Sequence, residues 1–174
     1  MVVDKDFQVL TFKLDEQEYA LDINTVVQVV RMVTITRSPK APAVVEGVIN
    51  LRGKVIPVLN LRRRLELPSA PYGINNHLLI AQPRNSNGSP SGRIMGLIVD
   101  AVKEVLTIPA AQLDSLTDMG MHGSEYLAAV GKMGDRLLLI LKLNSLLTLE
   151  EETLLKDVLK PPASPVGQEK RVLV

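Results

Sequence analysis

The sequence predicts an all-β fold made of two small β-barrels with few helices. Apolar and polar residues alternate with the period of two that is typical of strands with one buried face. About nine or ten such runs, each of strand length, are separated by turn residues, which is the pattern of small barrels. Both halves of the 174-residue chain show this strand–turn–strand organisation, so we expect two barrels of similar size.

The N-terminal strands form the first predicted hairpin. Residues 7–14 place Leu10 and Phe12 on one face, and residues 18–23 alternate in the same way after a polar turn. Residues 26–30 then form an extended run rich in β-branched side chains, which favour strands.

A second hairpin is predicted from residues 44–51 and 55–59, which are joined through a turn that Gly53 permits because glycine adopts positive φ readily. Pro57 lies inside the second run and predicts an edge strand or a bulge, since proline has no N–H to donate. Residues 61–67 predict one short helix that ends at Pro68.

The second half continues with predicted strands, at 77–81, 93–100 and 102–108 and in a final hairpin of 126–130 with 136–143. The polar segment 83–92 is predicted to be a flexible hairpin tip. Residues 109–124 show no regular pattern, and we expect them to be irregular and partly mobile.

The hydrophobic period changes near the C-terminal end. Thr148 and Glu151 fit a capping box at the start of a helix predicted to run over 148–160, and Pro161 ends it. We expect one domain over residues 1–160, with subdomains at about 7–72 and 73–147, and a disordered tail over 161–174.

Composition argues against several classes of function. Lys and Arg number 20 against 19 Asp and Glu, and 3% of residues are aromatic, so neither phosphate neutralisation nor base stacking predicts a nucleic-acid-binding protein. The chain has no cysteine and two histidines, which excludes thiolate and multi-histidine metal sites. No apolar run is long enough to span a bilayer, and no nucleophile–base or phosphate-loop motif is present. We therefore expect a cytoplasmic protein that is not an enzyme, binds no cofactor and does not insert into the membrane.

Arg62, Arg63 and Arg64 form the main basic concentration. Three interpretations are open for it: a solvated helix face, a nucleic-acid patch, or a surface for an acidic protein partner.

The segment 45–62 is the most informative part of the chain. Gly47 has no side chain beside an extended run, which permits the close approach of another backbone. Asn50 can brace the following turn, and Arg52 projects from it. A planar guanidinium at a fixed turn is suited to bidentate contact with a carboxylate.

Four motifs, in order, resemble the CheW family, the coupling proteins that link chemoreceptors to the histidine kinase CheA. They lie at residues 19–26, 42–58, 96–105 and 126–147, and the second is close to the family's G-x-x-N-L-R-G-x-x-x-P-V pattern. The resemblance covers residues 7 to 160. It implies two SH3-like barrels and a noncatalytic adaptor that contacts receptor signalling tips on one surface and the regulatory domain of the kinase on another.

Carried onto this sequence, the resemblance implies a receptor-binding set of Val26, Gln28, Gly47, Arg52 and Val99, in a groove that Val102 also helps to line. Several family members have an acid where this chain has Gln28. For the kinase-binding surface it implies the region of Val55, Ile56 and Val58. Association with other CheW-like domains in rings is a further implied partner.

Alternative functions remain open at this point. One alternative is a regulatory or coupling module of a related kinase pathway, such as one for type IV pili and twitching, and another is a piece of a larger kinase. A small-barrel nucleic-acid-binding protein and an unrecognised hydrolase are the rivals from other classes.

Overall fold

The computed structural model describes residues 6–115 and 125–159, and its regular structure is mainly strand, as predicted. The strands are β1 (Phe7–Leu14), β2 (Gln17–Asp22), β3 (Val26–Arg31), β4 (Val45–Leu51), β5 (Lys54–Asn60), β6 (His77–Ala81), β7 (Met95–Val99), β8 (Ala101–Ile108), β9 (Leu113–Asp114), β10 (Leu127–Met133) and β11 (Arg136–Leu141). The α-helices are α1 (Leu61–Arg64) and α2 (Leu149–Val158), and short 3-10 turns lie at Ile23–Thr25, Ala110–Gln112 and Leu143–Ser145.

The strands form two sheets, consistent with two SH3-like subdomains. We call the sheet ordered β3-β6-β7-β5-β4 the central sheet, and the sheet ordered β8-β1-β2-β11-β10-β9 the terminal sheet. The terminal sheet joins the hairpin of β1 and β2 to the last strands of the chain, because β2 pairs in parallel with β11, with Tyr19 opposite Leu139.

This pairing differs from the predicted sequential division into 7–72 and 73–147. The N-terminal hairpin belongs with the C-terminal strands, and the central sheet is formed by residues between 26 and 99. Periodicity identifies a strand and its buried face, but it carries no information about which distant strand lies beside it.

The central sheet is closed into a barrel by the segment after β3. Thr36 donates from its N to the Val48 carbonyl at 2.9 Å, and Val48 N donates to the Thr36 carbonyl at 2.8 Å. These bonds tie the chain that leaves edge strand β3 to the opposite edge strand β4. In the terminal sheet, the chain itself joins the two edge strands β8 and β9 through Ala110–Gln112.

The prediction that Pro57 marks an edge strand is wrong, because β5 lies between β7 and β4. Val48, the residue opposite Pro57, has both backbone groups bonded to Thr36 on its other side. The pair is therefore a non-hydrogen-bonded one, and the missing N–H of Pro57 costs no bond to β4. The nearby bulge is in β4, between Val45 and Gly47.

Buried apolar side chains form three clusters. One lies in the terminal sheet around Val9, Ile108 and Leu138, and one in the central sheet around Ile56 and Leu78. The third and largest draws on both sheets and on α2; its members include Phe12, Leu21, Leu79, Leu97, Val99, Leu141 and Leu155. We call this third cluster the seam, because it packs the two barrels against each other.

A buried threonine supplies hydrogen bonds to backbone groups at an irregularity in the terminal sheet. The pairing of β1 with β8 shifts register between Leu10 and Phe12, where Thr11 is fully buried. Its hydroxyl donates to the Glu104 carbonyl at 3.0 Å and accepts from Glu104 N at 3.1 Å. Without that hydroxyl, two backbone groups would lose their partner.

The helices follow the sequence signals in part. The Thr148–Glu151 capping box is confirmed, whereas α1 ends at Arg64 rather than at 67. The 83–92 tip has internal hydrogen bonds, including Asn85 N to the Ser89 carbonyl at 2.8 Å. The predicted tail over 161–174, and residues 116–124 of the predicted irregular segment, lie outside the described residues.

Candidate partner-binding surfaces

The β4–β5 turn holds Arg52 in a fixed, exposed position. Arg52 has φ +52° and Gly53 has φ +84°, the two successive positive values of a tight type I′ hairpin turn. Asn50 accepts from Gly53 N through its side-chain oxygen at 2.9 Å, as the sequence suggested. Within residues 6–115 and 125–159, the Arg52 guanidinium has no ion pair or hydrogen bond. It is free to bind an external carboxylate.

Arg62, by contrast, is engaged inside the molecule. Its side chain is 15% exposed and contacts Asp15 at 3.0 Å and Asp100 at 2.7 Å. Burial lowers the pKa of Arg62, but hydrogen bonds to the two carboxylates outweigh burial and raise it overall. The guanidinium therefore remains charged and paired.

The other two arginines of the basic run are occupied as well. Arg63 lies 3.3 Å from Glu46. Arg64 pairs with Glu151 of α2, donates to the Tyr126 hydroxyl at 3.1 Å and lies over that ring at 5.4 Å. Residues 62–64 hence stabilise the fold. Because their charges are already paired with carboxylates of this chain, they do not support the interpretation as a nucleic-acid patch.

Glu46 is the centre of a further polar cluster beneath the central barrel surface. It is buried, and Asn60 donates to it at 3.1 Å while Arg37 and Arg63 lie nearby. Burial raises the pKa of Glu46, but hydrogen bonds from Tyr72 and Asn60 and the arginine charges lower it overall. Burial together with the bond to Glu46 raises the pKa of Tyr72 to about 12. The cluster fastens the loop after α1 to β4.

Three of the groove residues meet at the seam. Val99 is fully buried within it, while Val26 and Val102 are half-buried at its margin. Val99 is therefore not open to direct contact by a partner, which corrects its predicted role. Val26 and Val102 keep part of their surface accessible.

Gly47 is enclosed by this chain, whereas Gln28 keeps part of its surface accessible. Gly47 is buried, and a Cβ there would meet the Thr36 carbonyl oxygen and lie 2.7 Å from Ile35 Cγ2. The close backbone approach that Gly47 permits is thus made by this chain. Gln28 is half-buried and lies opposite Ile80, a residue of the central core.

Sequence reasoning missed the apolar side chains that β3 and β8 expose. Val27 and Val29 are 46% and 40% exposed, one residue out of step with Val26 and Gln28. The pairing of β3 with β6 shifts register between Val26 and Gln28. Such a bulge interrupts the alternation from which the outward face of residues 26–30 would be predicted. Val105, opposite seam residue Leu10, is 53% exposed.

The predicted kinase-binding residues divide in the same way. Val55 is 55% exposed beside the Arg52 turn, but Ile56 and Val58 are buried in the central core. The prediction that Ile56 and Val58 contact the kinase directly is therefore wrong. These two residues lie on either side of Pro57 in β5, and both side chains point into the core.

Comparison with known proteins adds the decisive observation. The family model of the CheW-like domain matches residues 8–151, from β1 to the first turn of α2. The chain belongs to the CheW family. The resemblance identified from the sequence is thereby confirmed.

Individual relatives agree with this assignment. The chain is 30% identical over 152 residues to the chemotaxis protein CheW of Klebsiella aerogenes, covering 87% of each. It is 33% identical over 153 residues to that of Thermotoga maritima, covering 88% of this chain and 93% of the relative. The crystal structure of scaffolding protein TtCheW from Thermoanaerobacter tengcongensis has a TM-score of 0.72 at 30% identity, covering 84% of this chain and 95% of that one.

The described helices of this CheW-family chain are short. None that the structure describes has both the length and the apolar character needed to cross a bilayer. In the described part of the chain, no three acidic or histidine side chains are grouped as metal ligands.

Proposed function

We propose that the protein is a noncatalytic cytoplasmic adaptor that couples chemoreceptor signalling tips to the regulatory domain of a CheA-type histidine kinase. The CheW family supports this role, and so does a site with exposed recognition groups. The observation that carries the proposal is Arg52: its backbone is fixed in a tight turn, and its guanidinium has no ion pair among the described residues. The arginines of residues 62–64, by contrast, are engaged in internal ion pairs.

On the receptor side, Arg52 binds a carboxylate of the receptor tip. Arg52 holds its backbone geometry through the turn, so little ordering of the chain is needed on binding, and preorganisation favours affinity. The half-buried Val26 and the exposed Val29 supply apolar contact near the seam margin.

On the kinase side, Val55 supplies the exposed apolar contact. Ile56 and Val58 act only by holding β5 in place. The kinase domain and the receptor tip are thus bound through different side chains, and the adaptor works by binding both at once.

The test is charge reversal at Arg52 with a matched control. Arg52→Glu should weaken binding of a receptor signalling domain by about 2 kcal/mol or more, about 30-fold in Kd, because a hydrogen-bonded charge pair is replaced by repulsion. Lys54→Glu reverses a charge in the same hairpin. If long-range electrostatics alone were involved, both variants would weaken binding equally.

Kinase binding provides the second arm. Arg52→Glu should leave the affinity for the kinase regulatory domain unchanged, while Val55→Asp should lower it. Receptor affinity that is the same for Arg52→Glu and the parent, with both proteins melting alike, would refute the proposal.

A further inference from the structure

The two barrels are connected at two points of the described chain. The chain passes from the terminal to the central sheet through Ile23–Thr25, and it returns through Asp100 alone, since β7 ends at Val99 and β8 begins at Ala101. Any pivoting of one barrel on the other must turn the backbone at these two links.

Asp100 is fastened by groups from both sides of the link. Its Oδ2 accepts from Arg62 Nη2 at 2.7 Å and from Asp15 N at 2.8 Å. Its own N donates to the Lys13 carbonyl at 3.0 Å, and Asn76 Nδ2 donates to the adjoining Val99 carbonyl at 3.1 Å. A one-residue link is thus bound on its side chain and its backbone.

Arg62 joins the parts that would separate if the link turned. It lies on α1, which follows central strand β5, whereas Asp15 lies in the β1–β2 turn of the terminal sheet with φ +59°. Arg62 Nη1 reaches Asp15 Oδ1 at 3.0 Å and also the Pro68 carbonyl at 2.9 Å. One planar guanidinium therefore holds α1, the terminal-sheet turn and the link in a fixed relation.

The apolar contacts of the seam do not by themselves fix the orientation of one barrel relative to the other. Apolar burial is non-directional, and volume-conserving rearrangements of apolar side chains are tolerated. Charge-assisted, bidentate hydrogen bonds impose geometry as well as energy.

We propose that Arg62 is a positioning residue that sets the orientation of the two barrels through Asp15 and Asp100, and thereby the accessible surface of Val26 and Val102 at the seam margin. Its effect on receptor binding rests on the proposed function. The effect on barrel orientation does not, so the two claims are tested separately.

Orientation is measured by pulsed electron spin resonance between two spin labels. Because the chain contains no cysteine, Val55→Cys in the central sheet and Leu137→Cys in the terminal sheet give one defined pair, and both side chains are exposed. Arg62→Met should broaden or shift the distance distribution. The matched control is Arg136→Met, which also removes an arginine from two carboxylates, Glu18 and Glu104, but within the terminal sheet only.

Each result is decisive. A broadened or shifted distribution in Arg62→Met alone supports the proposal, whereas an unchanged distribution, or an equal change in both variants, overturns it. If Arg62→Met does not fold, Arg62→Lys serves in its place: it keeps the charge but loses the two-pronged contact, so it too should broaden the distribution, and a parent-like distribution contradicts the proposal.

The functional arm uses the full chain without labels. Arg62→Met should lower receptor affinity by about 5- to 150-fold, the range of typical coupling free energies, with kinase affinity unchanged. A broadened distribution with unaltered receptor affinity would retain the positioning of the barrels but overturn its link to the receptor. Loss of the Arg52→Glu effect would instead remove the proposed function.

Discussion

Gly47→Ala is the substitution whose effect on the fold is most sharply determined by the structure. The new methyl group would meet the Thr36 carbonyl oxygen, and it would lie 2.7 Å from Ile35 Cγ2 and 2.9 Å from the Thr36 carbonyl carbon. Two of these three atoms belong to backbone, so a change of side-chain rotamer cannot relieve the clash. The segment after β3 must move away from β4.

The cost has two parts. Overpacking of a well-packed site costs about 1–3 kcal/mol. Displacing Thr36 also weakens its two backbone hydrogen bonds to Val48, each worth about 1 kcal/mol. Because the strained segment can relax partly into solvent, we expect a loss of about 2–4 kcal/mol. For a protein of this size, 3 kcal/mol lowers the melting temperature by about 6–12 °C.

The assay combines thermal melting with hydrogen exchange. Gly73→Ala is the control, because a Cβ at Gly73 has no atom within 4 Å and the position lacks positive φ. Its stability should change by no more than about 0.5 kcal/mol. The amides of Thr36 and Val48 should lose protection in Gly47→Ala before those of β6 and β7.

Equal melting temperatures for Gly47→Ala and Gly73→Ala would refute this reasoning. A Gly47→Ala protein that melts like the parent but binds the receptor weakly would assign Gly47 a direct binding role instead. The measurement therefore separates a role in closing the barrel from a role in contact.

Further predictions concern the buried polar groups. Thr11→Val should lower the free energy of unfolding by about 1–3 kcal/mol because Glu104 N and O lose their partner. Thr11→Ser keeps the hydroxyl and should retain most of the parent's stability, and urea unfolding measures the stability of both variants. The pKa of Glu46 is lowered in the folded protein from 4.5, so its stabilisation is present above pH 4.5 and lost as pH falls through the folded value; the difference in unfolding free energy between the parent and Glu46→Gln should shrink on acidification, and a difference that grows would contradict the sign. Tyr72→Phe should remove the tyrosinate absorbance step at about pH 12 and leave the remaining steps, whereas persistence of that step would assign it to another tyrosine.

Local structure was predictable wherever one residue pattern decides it. The hairpin at 44–59 follows from alternation and Gly53, and the start of α2 follows from Thr148 and Glu151; both are confirmed. The closing contact of Gly47 was anticipated as a close backbone approach. Its partner, Thr36, was not, because the bridge depends on the path of the chain after β3.

The pairing of distant strands was beyond the sequence pattern. Nothing in residues 17–22 indicates that they lie beside 136–141, since the two strands are joined only in the folded chain. The roles of Arg62 and Arg64 have the same origin: their carboxylate partners Asp100 and Glu151 are remote in sequence. A run of three arginines therefore resembled a basic surface.

For the candidate site, the sequence predicted the turn that carries Arg52, but it did not predict which side chains of the neighbouring strands face outwards. Arg52 is exposed as expected, and Val55 is exposed beside it. Val99, Ile56 and Val58 are buried. Their burial was not predicted, because a continuous run of apolar residues in the sequence does not show which face of the strand is exposed.

Reconstitution tests the central claim, that this protein acts by joining two partners. Membranes that carry chemoreceptors are sedimented with a CheA-type kinase in the presence and absence of the protein, with Arg52→Glu as the variant. We predict that the kinase sediments with the receptors only when the parent protein is added, and that Arg52→Glu fails to recruit it although it still binds the kinase in solution. Recruitment of the kinase to the same extent without the protein, or equally by Arg52→Glu, would contradict the account.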